Sequence, residues 1–158
     1  KSHDEMMRIT WNSSRDNTRT PMQWSDAPNA GFTFAEKPWV GINPNYTDIN
    51  VEAQLEDEDS IFNFYKEMIQ LRKDDETFVY GAYDVVLPDH PEVYAYTRTL
   101  GDTQYLVVTN LTAKETMFDM DQTLRAKDVV LSNMPVEGDA ESTLLHLKPF
   151  EGRVYKIS

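Results

Sequence analysis

The stretch from Asn12 to Asn50 restricts the fold of this chain more than any other part of it. It holds Pro21, Pro28, Pro38 and Pro44, Gly31 and Gly41, and six asparagines (Asn12, Asn17, Asn29, Asn43, Asn45, Asn50). Proline fixes φ and removes a backbone donor, while glycine and asparagine favour turns, so no helix or strand is sustained here. A loop of this length is uncommon inside a compact domain. It also carries Trp24, Phe32, Phe34, Trp39 and Tyr46, and burying a ring of Phe size is worth roughly 1.5 to 3 kcal/mol. The rings need a surface, so the loop is expected to drape over a body outside it or to line a site there.

The flanking segments are more regular. Asp4 to Trp11 reads as helical, with little room for an N-terminal turn, and is expected to be the end of something longer. After the loop, Ile61, Phe64, Tyr65, Met68, Ile69 and Leu71 recur at spacings of three and four. Ser60 is the candidate N-cap, Glu56 to Asp59 an acidic lead-in and Arg72-Lys73 a basic last turn. The spacing predicts an amphipathic helix from Ser60 to Lys73.

Beyond Asp74-Asp75-Glu76 the period changes to short β-rich runs: Phe78 to Leu87, Val93 to Leu100, Tyr105 to Leu111, Glu115 to Met120, Asp128 to Ser132, Thr143 to Leu147 and Arg153 to Ile157. Turn residues separate them at Pro88 to Pro91, Gly101-Asp102, Asn110 to Ala113 and Pro135 to Asp139. The expected fold is mainly β: an antiparallel β-sandwich with Greek-key or meander connections, of about 80 residues, preceded by the long loop and one helix. Tyr80, Tyr83, Tyr94 and Tyr96 alternate along its strands and are expected to be half-buried packing residues; stacking on a glycan is the other use of such rings.

Charge and composition exclude several functions. Fifteen basic against 27 acidic residues give a net charge of −12, and no basic cluster is present to neutralise a run of phosphates, so nucleic acid is not an expected partner. No apolar stretch reaches the roughly 20 residues that cross a bilayer, and no membrane association is expected. Cysteine is absent, which removes disulfides and thiolate metal sites and fits the cytoplasm. His3, His90 and His146 are scattered singly, so neither a metal nor another cofactor is expected.

The densest chemistry lies in Arg15-Asp16-Asn17-Thr18-Arg19-Thr20-Pro21-Met22-Gln23-Trp24. A guanidinium fork, amides and a ring together suit the edge of a sugar pocket, and equally suit a loop anchored to a neighbour. This run, followed by Asn29-Ala30-Gly31-Phe32, Pro38-Trp39, Asn43-Pro44-Asn45-Tyr46 and Ile49-Asn50-Val51, resembles the signature after barrel strand eight in the oligo-1,6-glucosidase group of glycoside hydrolase family 13. Ser60-Ile61-Phe62 and Leu71-Arg72-Lys73 resemble that group's last barrel helix, and Leu147 to Glu151 resembles a block near its C-terminus.

The resemblance implies that residues 1–75 form the end of a TIM barrel, with the eighth βα-loop and final helix, and that 76–158 form the C-terminal sandwich. It implies a retaining α-glucosidase acting on α-1,6-linked or related glucosides, with an oligosaccharide substrate and the remainder of the barrel as partners. Arg15 matches the arginine that reaches the terminal glucose, and Arg19 is expected to line or brace the same rim. Gln23 and Trp24 are assigned to loop structure. The family's nucleophile and acid come from strands upstream of Lys1, so no catalytic residue is expected in this chain, which should be inactive alone; Asp16, Asp26, Glu36 and Asp48 sit in no motif of that kind. Trehalose-6-phosphate hydrolases, dextran glucosidases and sucrose isomerases share nearly the same signature. A stand-alone carbohydrate-binding or interaction sandwich is the alternative from another class, and the stranded aromatics also favour self-association.

Overall fold

The structure is a computed structural model that describes residues 1–13, 15–120, 128–136 and 143–158. The side chains of Asp16, Asn17 and Asp128, and most of the turn expected over 135–139, lie outside the described residues. The chain forms two compact units, residues 1–63 and 64–158.

In the first unit, helix α1 (His3–Ser13) is followed by three short 3-10 turns, Arg15–Thr18, Pro28–Gly31 and Pro44–Thr47, and by helix α2 (Val51–Glu56). Among the described residues the loop reading of 12–50 therefore holds apart from Asn12 and Ser13, which end α1, and these single turns. Helix α2 was not expected; Asn50 caps it by accepting a hydrogen bond from the Ala53 amide at 2.9 Å, which satisfies one of the donors a helix start leaves open.

Helix α3 (Ile61–Asp74) lies within one residue of its expected span. The Ser60 hydroxyl accepts from the Asn63 amide at 3.2 Å, the N-cap geometry its sequence position calls for. None of the residues of α3 is buried. Helix α4 (Thr77–Tyr80) replaces the first half of the strand expected from Phe78 to Leu87.

Among the described residues the strands are β1 (Ala82–Val85), β2 (Val93–Leu100), β3 (Thr103–Asn110), β4 (Thr116–Asp119), β5 (Asp128–Ser132), β6 (Leu144–Leu147) and β7 (Gly152–Lys156). They make a five-stranded antiparallel sheet in the order β1-β2-β3-β7-β5 and a two-stranded sheet, β4-β6. The β2–β3 hairpin closes through Gly101-Asp102, with Gly101 at φ 59°, a conformation that glycine adopts without steric penalty in two-residue hairpin loops.

Alternation sends one face of the large sheet inward. Val93, Ala95, Leu106, Val108, Tyr155 and Ile157 meet Phe118, Met120, Leu145 and Leu147 of the small sheet in one core, the arrangement of a sandwich. The opposite face of the large sheet is covered at one end, where Tyr105 lies under Phe78 of α4 with ring centroids 4.4 Å apart. Along the rest of that face Tyr94 is exposed and Tyr96, Val107 and Val154 are half-buried.

Candidate functional site

Within the first unit, hydrogen bonds from amide side chains shape the loop and leave its rings outside. The Gln23 side chain donates to Asn45 Oδ1 at 3.2 Å and to the Ile49 carbonyl. The backbone carbonyls of Gln23 and Trp24 accept from Val51 and Glu52 at 2.9 and 3.0 Å, so the start of α2 is stitched to this segment. Asn29 donates to the Thr33 and Ala35 carbonyls at 3.4 and 2.8 Å, and the Asn50 amide donates to the Tyr46 carbonyl at 2.9 Å. These bonds account for much of the loop's asparagine content.

The turn at Pro28–Gly31 is strained. Asn29 and Ala30 both have φ 56°, and Gly31 follows at φ 64°; the left-handed region costs a non-glycine residue of order 1 kcal/mol or more. The turn is held because the Ala30 carbonyl accepts from both Trp24 and Ser25, at 2.9 and 3.2 Å, while Ala30 itself is buried. Phe34 and Trp39 are fully exposed, and Trp24 and Phe32 about half so.

Arg15 opens the first 3-10 turn, where its carbonyl accepts from the Thr18 hydroxyl at 3.0 Å. Arg19 follows directly after the turn, and both arginines are exposed. The turn and the residue after it thus present two planar guanidinium groups four residues apart, a donor type that suits hydroxyl-rich ligands. Asp26, Glu36 and Asp48 are each exposed, and among the described residues no hydrogen bond or ion pair joins any two of them. No group of three or more His, Asp or Glu side chains that could hold a metal exists among the described residues. His90 is structural: its Nδ1 accepts from the Glu92 and Val93 amides at 3.2 and 2.9 Å and its ring lies against Phe118.

The second unit contains two polar devices absent from the sequence reading. Glu151, fully buried, accepts from Arg153 Nε and from the Lys148 amide, each at 2.7 Å. Arg153 also donates to the Tyr155 hydroxyl and to the His146 carbonyl, at 3.0 and 2.7 Å. The acid-x-Arg-x-Tyr spacing, read as one face of a strand, was the available signal. The other device is the Tyr105 hydroxyl donating to Asp75 Oδ2 at 2.7 Å. Hydrogen bonds from Thr77 first, and Tyr105 second, lower the Asp75 pKa. Burial, and then the bond to Asp75, push Tyr105 up to about 12.

The four tyrosines depart from expectation. Tyr80 ends helix α4 and is exposed; Tyr83 and Tyr94 are exposed and only Tyr96 is half-buried, because these three lie on the sheet face opposite the core. The Tyr83 and Tyr94 hydroxyls are hydrogen-bonded to each other at 2.6 Å, and the Tyr96 ring lies 5.2 and 5.4 Å from their rings. The bond to Tyr94 raises the Tyr83 pKa, and burial raises that of Tyr96.

Comparison with known proteins bears on both units. The family model of the alpha-amylase catalytic domain matches residues 1–81, and that of the maltogenic amylase C-terminal domain matches 83–154. Over 155 residues and 97% of its length the chain is 48% identical to an oligo-1,6-glucosidase from Parageobacillus thermoglucosidasius, covering 27% of that protein. It is 39% identical to a trehalose-6-phosphate hydrolase from Escherichia coli K12, over 94% of this chain and 26% of the relative. The crystal structure of an isomaltulose synthase from Klebsiella sp. LX3 superimposes with a TM-score of 0.86 at 46% identity, over 92% of this chain and 26% of that one. The chain therefore spans about a quarter of the length of the relatives it matches. From the catalytic-domain match over its first half, the chain belongs to the alpha-amylase family, glycoside hydrolase family 13.

Proposed function

We propose that the chain is the C-terminal part of a retaining α-glucosidase that removes glucose from the non-reducing end of α-1,6-linked glucosides. The observation that carries this is the 48% identity to an oligo-1,6-glucosidase along nearly the whole chain. In this reading residues 1–75 complete a (β/α)8 barrel supplied by the preceding polypeptide, and 76–158 form the appended sandwich. The 3-10 turn at Arg15 borders the glucose pocket. The guanidinium of Arg15 donates to hydroxyls of the terminal sugar, and Arg19 braces the rim.

The nucleophile and the acid, whose carboxyl groups in retaining enzymes stand about 5 to 5.5 Å apart, come from the remainder of the barrel. The residues of this chain bind and orient substrate; they move no proton. Alone, the chain exposes the rings of its loop and is inactive. A cytoplasmic location accords with the absence of cysteine.

The test is Arg15→Ala in the intact enzyme. Hydrogen bonds to a charged group are worth roughly 1.5 to 3 kcal/mol, so kcat/KM on isomaltose should fall about 10- to 150-fold at unchanged melting temperature. Arg15→Lys should recover only part of the loss, and Lys37→Ala should cost little. Near wild-type kcat/KM in Arg15→Ala would remove the pocket assignment. A second reading, hydrolysis of trehalose 6-phosphate, is favoured by the 39% identical relative; a higher kcat/KM on that sugar phosphate than on isomaltose would select it.

A further inference from the structure

Gln23 lies four residues after Arg19, and both protons of its side-chain amide are committed. Nε2 donates to Asn45 Oδ1 at 3.2 Å and to the Ile49 carbonyl, so one half-buried side chain ties the front of the loop to points 22 and 26 residues further on. The backbone completes the tie. The Gln23 and Trp24 carbonyls accept from Val51 and Glu52, and the Trp24 and Ser25 amides donate to the Ala30 carbonyl. Residues 23–25 thus bond through carbonyls and amides alike, outside any helix or strand.

This node is itself seated. Asn50 caps α2, and the Gln54 carbonyl accepts from the Ser60 hydroxyl and the Asn63 side-chain amide at 2.6 and 3.1 Å, which bonds α2 to the start of α3. The connection from the node to the arginines is short and stiff. Thr20, Pro21 and Met22 line a hollow of about 260 Å³ together with Ile49, Val51 and Gln54, so the chain is laid against the start of α2 as far as the residue next to Arg19. Pro21 is buried, and its ring removes one backbone rotation from the tether. Arg19 follows directly on the turn that Arg15 opens, so a displacement at Gln23 passes to both guanidinium groups.

Closing the loop does not by itself call for this distribution of bonds. The dense bonding lies beside the segment that carries the arginines, whereas Phe34 and Trp39 in the middle of the loop are fully exposed. We propose that Gln23 is a positioning residue: its two amide bonds fix where Arg15 and Arg19 stand relative to the bound sugar. This rests on the function proposed above and adds to it the side chain on which the arginines depend. Orientation carries large rate effects, since a misplacement of about 1 Å can cost on the order of 100-fold.

The experiment is a double-mutant cycle on isomaltose hydrolysis by the intact enzyme. Gln23→Met keeps the length of the side chain and removes both donors. Its kcat/KM should fall about 5- to 50-fold, divided between kcat and KM as in Arg15→Ala. In the Arg15→Ala background the same change should cost no more than about threefold, because the main group it places is gone. Asn45→Leu, which removes one acceptor, should lose about 3- to 10-fold with the same suppression, and Asn45→Asp, which still accepts, should recover most of that loss. A Gln23→Met loss that multiplies in full with that of Arg15→Ala marks a structural role and overturns the proposal. So does a Gln23→Met enzyme with lowered Tm and unchanged kcat/KM. If Gln23→Met does not fold, Asn45→Leu carries the cycle, and full multiplication there overturns the proposal in the same way. Near wild-type kcat/KM in Arg15→Ala rejects the pocket assignment and the positioning role together, whereas a loss in Arg15→Ala that multiplies with Gln23→Met rejects the positioning role alone.

Discussion

Glu151 and Arg153 concentrate more electrostatic cost than any other described pair, since a carboxylate with no exposed surface and a guanidinium 5% exposed face each other across 2.7 Å. Removing one partner of a buried pair leaves the other uncompensated, at about 3 to 5 kcal/mol. Glu151→Gln and Arg153→Met should each lower the unfolding free energy of the chain by that amount, read from urea melts, and the double substitution should cost less than the sum of the two. Tyr105 and Asp75 add a pH signature. Asp75 has its pKa lowered from 3.8, so its contribution is complete above that value and is lost as pH falls through the depressed one. Tyr105 is raised from 10.0 to about 12, so its contribution is complete below pH 10 and is lost as pH rises toward 12. Tyr105→Phe should therefore lower stability at neutral pH by about 1 kcal/mol and make the losses at both pH extremes shallower in urea melts across the range. The spacing Glu151-x-Arg153-x-Tyr155 was the local trace of the first device, but it does not announce burial; the second joins residues 30 apart with no local pattern.

Local signals served best for elements that obey their own propensity. Helix α3 was readable because a Ser cap, an apolar stripe of period three to four and a basic last turn agree. Strands β2 and β5 match their expected bounds because alternation and turn residues coincide there. Helix α2 was missed because its six residues are too few to show a period, although Asn50 was an available cap signal. Asn50→Ala should speed amide exchange across residues 51–56 by the loss of about 1 kcal/mol. Helix α4 was misread because Phe78-Val79-Tyr80 favours strand; packing of Phe78 on Tyr105 and the donors of Arg72 and Arg98 override that preference. The chain leaves α4 through Gly81, where an added Cβ would meet the Thr77 carbonyl at 2.4 Å and the Thr99 backbone at 3.1 Å. Gly81→Ala should destabilise by about 1 to 3 kcal/mol through overpacking, read as a lower urea midpoint with unchanged m-value. The placing of β7 between β3 and β5 had no local signal, since no turn joins those strands.

On the scale of the whole molecule, the family resemblance carried most of the functional reading, and the structure shows why the residues alone could not. The loop holds itself together through asparagine and glutamine while Phe34 and Trp39 stand fully exposed, and the arginines assigned to substrate lie exposed in and just after a surface turn. The nucleophile and acid are assigned to polypeptide outside these 158 residues, so purified chain should show no turnover of p-nitrophenyl α-glucoside. The most direct measurement of the central claim is kcat/KM on isomaltose for the chimera carrying this chain in place of the matching segment of the Parageobacillus oligo-1,6-glucosidase. The account predicts activity within about tenfold of the unaltered enzyme, a difference of no more than roughly 1.4 kcal/mol, and a further loss of about 10- to 150-fold on Arg15→Ala. A chimera that folds and melts like the unaltered enzyme but does not hydrolyse isomaltose would contradict it.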